Sequence, residues 1–248
     1  MAVYFHHDFY EVYTSDPAAE SGRMEAIVEE LSTVVELIEC EPASEDDLLA
    51  AHSNGHLNWV HSQGLFDIAA LAAGGAIQAA RQALSEPSFA VIRPPGHHAS
   101  ASSCWGFCYF NNMAVSLLHL KRNGMIDRAF VLDFDLHFGD GNVNILSHHP
   151  WVEILNPEAS DRELYLEEVH TALENTSADM IAVSAGFDNH INDWGGLLLS
   201  KDYKVMAQWA RAAAERNNGG CYGILEGGYN HSVLGSNVLA FIEGLKDL

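Results

Sequence analysis

Between positions 133 and 141 the chain reads Asp-Phe-Asp-Leu-His-Phe-Gly-Asp-Gly. In an extended strand alternate side chains share a face, so Asp133, Asp135 and His137 are expected to project together while Phe134 and Leu136 turn into packing. Two carboxylates and an imidazole buried side by side are costly, and a divalent cation among them reverses the cost. Asp135 and His137 make two ligands, whereas a catalytic zinc site takes three and leaves one position for water. Ser184-Ala185-Gly186-Phe187-Asp188 offers the third: Asp188 ends another apolar run, and the glycine before it allows a close backbone approach.

Two further groups belong to the same chemistry. His97 and His98 lie in Arg93-Pro94-Pro95-Gly96-His97-His98-Ala99, a loop stiffened by two prolines. Each histidine needs a carboxylate to set its tautomer and basicity, and the 133–141 motif has two to spare, Asp133 and Asp140. Two His-Asp dyads beside a metal form an acid–base arrangement. Glu226-Gly227-Gly228-Tyr229-Asn230 places a tyrosine on a glycine turn, where a hydroxyl beside a metal donates to a developing oxyanion.

These groups must be held by strands and helices, and the periodicity supplies them. Strands are expected at 3–5, 34–39, 89–93, 129–134, 152–155, 180–184 and 223–225, with helices at 21–31, 65–84, 112–123, 161–174, 201–216 and 232–245. Several strands are apolar throughout, as strands buried on both faces must be. The pattern predicts one domain over 1–248, a three-layer α/β/α sandwich around a mostly parallel sheet. Each polar cluster falls just past an apolar run, where open α/β sheets build their sites.

Composition narrows the field. A 48% hydrophobic content supports a real core, and 12 basic against 34 acidic residues give a net charge of −22. Such a field repels nucleic acid. It reads as a solvated acidic surface, with attraction of a cationic substrate as the second reading. Cys40, Cys104, Cys108 and Cys221 are too scattered for a disulfide framework or a structural zinc site and are expected to be buried thiols. No stretch reads as a signal peptide or a membrane span, and a reducing cytoplasm fits.

Taken together, 93–99, Gly106-Phe107-Cys108-Tyr109-Phe110-Asn111-Asn112, 133–141, 184–188 and 226–230 resemble the signature blocks of the histone deacetylase superfamily, which includes acetylpolyamine amidohydrolases and acetoin-utilisation proteins and has the arginase-like fold. The resemblance implies that Asp135, His137 and Asp188 bind Zn2+ or Fe2+, that His97 pairs with Asp133 and His98 with Asp140, and that Tyr229 is the oxyanion donor. It further implies that Phe107 lines an acyl channel, that the Gly106 carbonyl receives the substrate amide N–H, and that backbone oxygens around 133–137 can hold a monovalent cation such as K+. The implied reaction is metal-promoted hydrolysis of an N-acyl amine, such as acetyl-lysine or an acetylpolyamine.

The chain departs from its resemblance in two ways. Phe138 stands where such proteins often carry a second histidine. Between Asn156 and Met180 there is room for one helix, where relatives insert a loop that walls the channel opposite Phe107, and 52–65 is similarly brief. An open, shallow site is expected, or one whose wall comes from a second subunit of a homo-oligomer. Two other functions share the fold: a binuclear ureohydrolase of the arginase type, which needs more bridging ligands, and an inactive metal-binding scaffold, against which no expected catalytic residue is missing.

Overall fold

A computed structural model describes residues 1–246. Seven strands form one sheet: β1 (Ala2–Phe5), β2 (Leu37–Glu39), β3 (Ser88–Ala90), β4 (Ala129–Asp133), β5 (Val152–Leu155), β6 (Met180–Ala185) and β7 (Gly220–Leu225). Their order is β2-β1-β3-β7-β6-β4-β5 and every pairing is parallel, which sharpens the expectation of a mostly parallel sheet. The central strands β3, β4, β6 and β7 are buried along their whole length, whereas the edge strands β2 and β5 expose Glu39 and Glu153. Continuous apolar runs such as Ala129–Leu132 are what burial on both faces demands.

Helices cover both faces. Those described are α1 (Arg23–Leu31), α2 (Glu45–Ala51), α3 (Asn54–Ser62), α4 (Phe66–Gln82), α5 (Asn112–Arg122), α6 (Asp140–Leu146), α7 (Arg162–Asn175), α8 (Ser200–Arg216) and α9 (His231–Lys246). On one side α4 packs on β1, β3 and β7 and carries α5; on the other α8 packs on β6 and β7 and carries α9, with α1 against α9 and α7 against α8. This is the three-layer α/β/α sandwich. None of these helices is long and apolar enough to cross a membrane.

The structure corrects several expectations. Strand β2 begins at Leu37 and β3 ends at Ala90, each three residues inside its expected limit. Helices α2, α3 and α6 were not expected. The first two are set by serine caps, Ser44 Oγ accepting from Asp47 N and Ser53 Oγ from His56 N, a signal too local for hydrophobic periodicity to register. Strand β4 stops at Asp133, so alternation does not extend through the motif: Phe134 is buried as expected, but Leu136 is 37% exposed. Cys40, Cys108 and Cys221 are buried free thiols, while Cys104 is only half-buried.

Candidate active site

The sheet order explains why residues far apart in sequence meet. Strands β3, β7, β6 and β4 are consecutive neighbours, and the loops past their C-terminal ends carry His97 and His98, the 226–229 turn, Asp188, and the 133–140 motif respectively. The structure brings all of these to one place.

Asp135, His137 and Asp188 offer ligand atoms that all lie within 4.8 Å of one another. His137 Nδ1 stands 3.2 Å from Asp135 Oδ1 and 3.1 Å from Asp188 Oδ2. Backbone amides fix the carboxylates: Gly227 N donates to Asp135 Oδ2 at 2.9 Å, His137 N to Asp135 Oδ1 at 2.9 Å and Leu136 N to Asp188 Oδ1 at 3.0 Å. Asp188 Oδ2 is buried, and apart from His137 Nδ1 at 3.1 Å it has no hydrogen-bond partner. Leaving such an atom unpaired is expensive unless a cation meets it. Glycines make the cradle, since a Cβ on Gly186 would lie 2.0 Å from Asp135 Oδ2 and one on Gly227 2.8 Å from Asp188 Oδ2. Two carboxylates and an imidazole are a donor set that zinc and iron(II) both accept, so the residues fit a divalent ion.

The electrostatics show the same deficit of positive charge. Burial, then the neighbouring Asp135, pushes Asp188 up to about 6. Hydrogen bonds to Asp135 and Asp188 pull His137 up to about 10. For Asp135 burial is outweighed by the charge of His97 and by the donors from His137 and Gly227, which hold it below the usual carboxylate range.

Beside this cluster stand the two histidines. His97 Nδ1 lies 3.2 Å from Asp133 Oδ2, whose other neighbour is the Asn142 side-chain amide at 2.9 Å. His98 Nδ1 lies 2.7 Å from Asp140 Oδ1, so that its Nδ1–H donates and Nε2 is left free. Their surroundings differ. Burial opposes charge on His97, but Asp135 and Asp133 raise it well above the ordinary histidine value. Burial, reinforced by His97, lowers His98 to about 4. Pushing two titratable groups apart separates the roles open to them. Beneath them the fully buried Glu226 accepts from Gly96 N at 2.7 Å and His97 N at 3.2 Å, and burial lifts it to about 7.

Phe107 and Tyr229 face each other across a recess, with ring centroids 6.0 Å apart and nearly perpendicular. The recess measures about 100 Å³ and is also lined by His97, His98, His137, Trp105, Gly106 and Trp194. Trp105 and Trp194 at its rim are 55% and 53% exposed. The 156–161 connection lines a second cavity of about 470 Å³, together with Leu136, Phe138 and Leu197 among others. The Gly106 carbonyl accepts only a long contact from Cys108 Sγ, at 3.5 Å.

Five contributors escape sequence reasoning. Trp194 stacks on Tyr229 at 4.1 Å, and Asp193 Oδ2 accepts from both Tyr229 N and Asn230 N, at 2.8 and 2.7 Å. The buried Arg23 donates to the carbonyls of Gly228 and Glu226, at 2.8 and 2.6 Å, holding the same turn from beneath. Trp105 stacks on His98 at 3.8 Å. His52 ties the loop stems: its Nε2 accepts from Asn111 N at 2.9 Å and its Nδ1 faces Ser100 O at 3.0 Å. Residues scattered over loops and the first turn of α1 carry no periodic signal; only the glycines beside both tryptophans hint at a turn.

Comparison with known proteins gives this geometry a lineage. The family model for the histone deacetylase domain matches residues 58–165, which include His97, His98, Asp133, Asp135, His137 and Asp140. A probable deacetylase of Archaeoglobus fulgidus is 32% identical over 88% of this chain and 74% of its own length. A probable deacetylase of Methanothermobacter thermautotrophicus is 29% identical over 98% of this chain and 90% of its own. Among solved structures, that of the HDA15 HD domain superposes with a TM-score of 0.87 at 23% identity, covering 98% of this chain and 88% of that one. The chain belongs to the histone deacetylase family and is a hydrolase acting on amide bonds.

Proposed function

We propose that this enzyme is a zinc-dependent deacylase that removes acetyl or other short acyl groups from aliphatic amines. The observation that carries the reading is the convergence of Asp135, His137 and the buried Asp188, whose Oδ2 faces no donor but His137 Nδ1, beside a recess reached by the free Nε2 of His98. Asp135, His137 and Asp188 would hold the ion, and iron(II) meets the same donors. When bound, a divalent ion supplies a Lewis acid for the acyl carbonyl and acidifies water.

The chain's own groups account for the rest. Tyr229 donates its hydroxyl proton to the developing oxyanion; burial raises its pKa, so it stays a donor across the working range. His98, neutral at ordinary pH and oriented by Asp140, accepts the proton of the attacking water at Nε2 and returns it to the leaving amine. His97, buried with Asp133, holds positive charge behind it. Phe107 and Tyr229 flank the acyl group, and the Gly106 carbonyl, held only by a weak thiol contact, is available to the substrate amide N–H.

The volume of about 100 Å³ favours acetyl over long chains, and a net charge of −22 favours cationic amines such as acetylpolyamines or acetyl-lysine. The test is turnover by the zinc-loaded protein of a panel of acetylpolyamines, acetyl-lysine peptides and neutral amides. Activity that is abolished by a chelator and lowered at least about 100-fold by Tyr229→Phe is expected. A metal-loaded protein inactive across the panel would overturn the reading. Two bound ions per chain would favour a ureohydrolase.

A further inference from the structure

The two dyads are built differently. The Asp133 side chain is 0% exposed, whereas that of Asp140 is 44% exposed, yet His98 is covered as completely as His97, both at 3% overall. A carboxylate open to water exchanges partners readily, and nothing in the His98–Asp140 pair itself prevents that.

Trp105 closes the gap. Its Nε1–H donates to both Asp140 oxygens, at 2.9 Å to Oδ2 and 3.1 Å to Oδ1, and its ring lies on the His98 imidazole with centroids 3.8 Å apart and planes at 30°. The backbone is bent to allow this. Gly106 and Phe107 are consecutive left-handed residues, with φ of 57° and 67°, which send Trp105 over His98 and Phe107 across to Tyr229. A phenylalanine at that φ is strained and persists only where its surroundings enforce it. A Cβ on Gly106 would strike His98 Cδ2 at 2.4 Å, so the turn lies directly against the imidazole. The loop is tied at both stems, His52 holding Ser100 O and Asn111 N, and His56 Nε2 donating to Tyr109 O at 2.7 Å.

We propose that Trp105 is a positioning residue for proton transfer: its indole N–H anchors Asp140 and its ring shields His98, giving a solvent-open dyad the fixed geometry that its neighbour obtains from burial. It does not touch the reacting atoms. Its effect passes through Asp140 to the orientation of His98 Nε2.

Trp105→Phe keeps a ring over His98 and removes the donor. The expected result is a fall in kcat of about 10-fold with KM within about 2-fold, as for other partners that orient a catalytic group. In a cycle with Asp140→Asn the double variant should be no slower than Asp140→Asn alone. A Trp105→Phe enzyme with unchanged kcat, or losses that multiply in the double variant, would show a wall and no more.

A second readout needs no turnover. In the zinc-free protein the His98 Nδ1–H resonance should broaden through solvent exchange in Trp105→Phe while that of His97 persists; an unchanged His98 signal refutes the proposal. If Trp105→Phe fails to fold, Asp140→Asn carries the test, since one of the five indole N–H resonances must then shift. The kinetic arm rests on the deacylase reading and the spectroscopic arm does not. An enzyme inactive on amides would sink that reading and leave the resonances to judge Trp105.

Discussion

Zinc should enter this site by displacing a proton, and the structure says from where. His137 is pulled up to about 10 by Asp135 and Asp188, so below that pH its Nδ1 carries a proton that the ion must replace. Asp188, near 6, is ionised above that value and protonated below it. The sign follows: raising the pH removes the competing proton, so apparent affinity climbs with pH. Between about 6 and about 10 the slope is one proton, roughly tenfold per unit; below about 6 it tends to two. His137 has a side chain 38% exposed, so water screens the energy of its ion pairs, but the proton count is unaffected. Titration calorimetry near pH 7.5 in buffers of different ionisation enthalpy should give about one proton released per zinc, and about one fewer for His137→Ala at saturating metal. Release that is absent in the parent, or identical in the variant, would refute the assignment of Nδ1 as a ligand.

Gly186→Ala places a methyl 2.0 Å from Asp135 Oδ2 and should lower zinc affinity about 10- to 100-fold, measured by competition with a chromogenic chelator; unchanged affinity would contradict the cradle. His52→Ala leaves Asn111 N–H and Ser100 O without their partner and should cost on the order of 2–4 kcal/mol in urea unfolding, with faster proteolysis in 100–110. Burial lowers His52 to about 3, below the unfolded value of 6.5, so its contribution is present above about 6.5 and is lost as pH falls toward 3. The stability difference between parent and variant should therefore shrink at low pH, and a constant difference would count against it. Added salt should reduce kcat/KM for an acetylpolyamine and leave a neutral acetamide unaffected; equal responses would remove the electrostatic argument for cationic substrates.

The parts of the molecule that announce themselves in sequence are those with repetition or density. Ala129–Leu132 and Met180–Val183 are unbroken apolar runs because the sheet buries both faces, and the polar clusters after them mark strand ends. Helices α2 and α6 are seven residues long, too short for an apolar period; a serine cap sets α2, whereas α6 starts at Gly139 with no side-chain cap. Alternation fails at Leu136 because the backbone leaves the sheet after Asp133. Trp105, Trp194, Arg23 and His52 act through partners at 140, 229, 228 and 111. A pairing between loops is written in no local pattern, so only the assembled fold discloses it.

The cavity of about 470 Å³ lined by the 156–161 connection bears on how this enzyme could change. Every group assigned to the reaction hangs from β3, β4, β6 or β7 or the turns they feed, and none comes from that connection. The recess between Phe107 and Tyr229 is lined by those same loops, whereas the connection lines a different cavity. Residues inserted near Glu158 would extend the wall of that cavity from outside the loops that carry the proposed ligands and dyads, which makes this segment a graft point for testing whether added chain changes the choice of substrate.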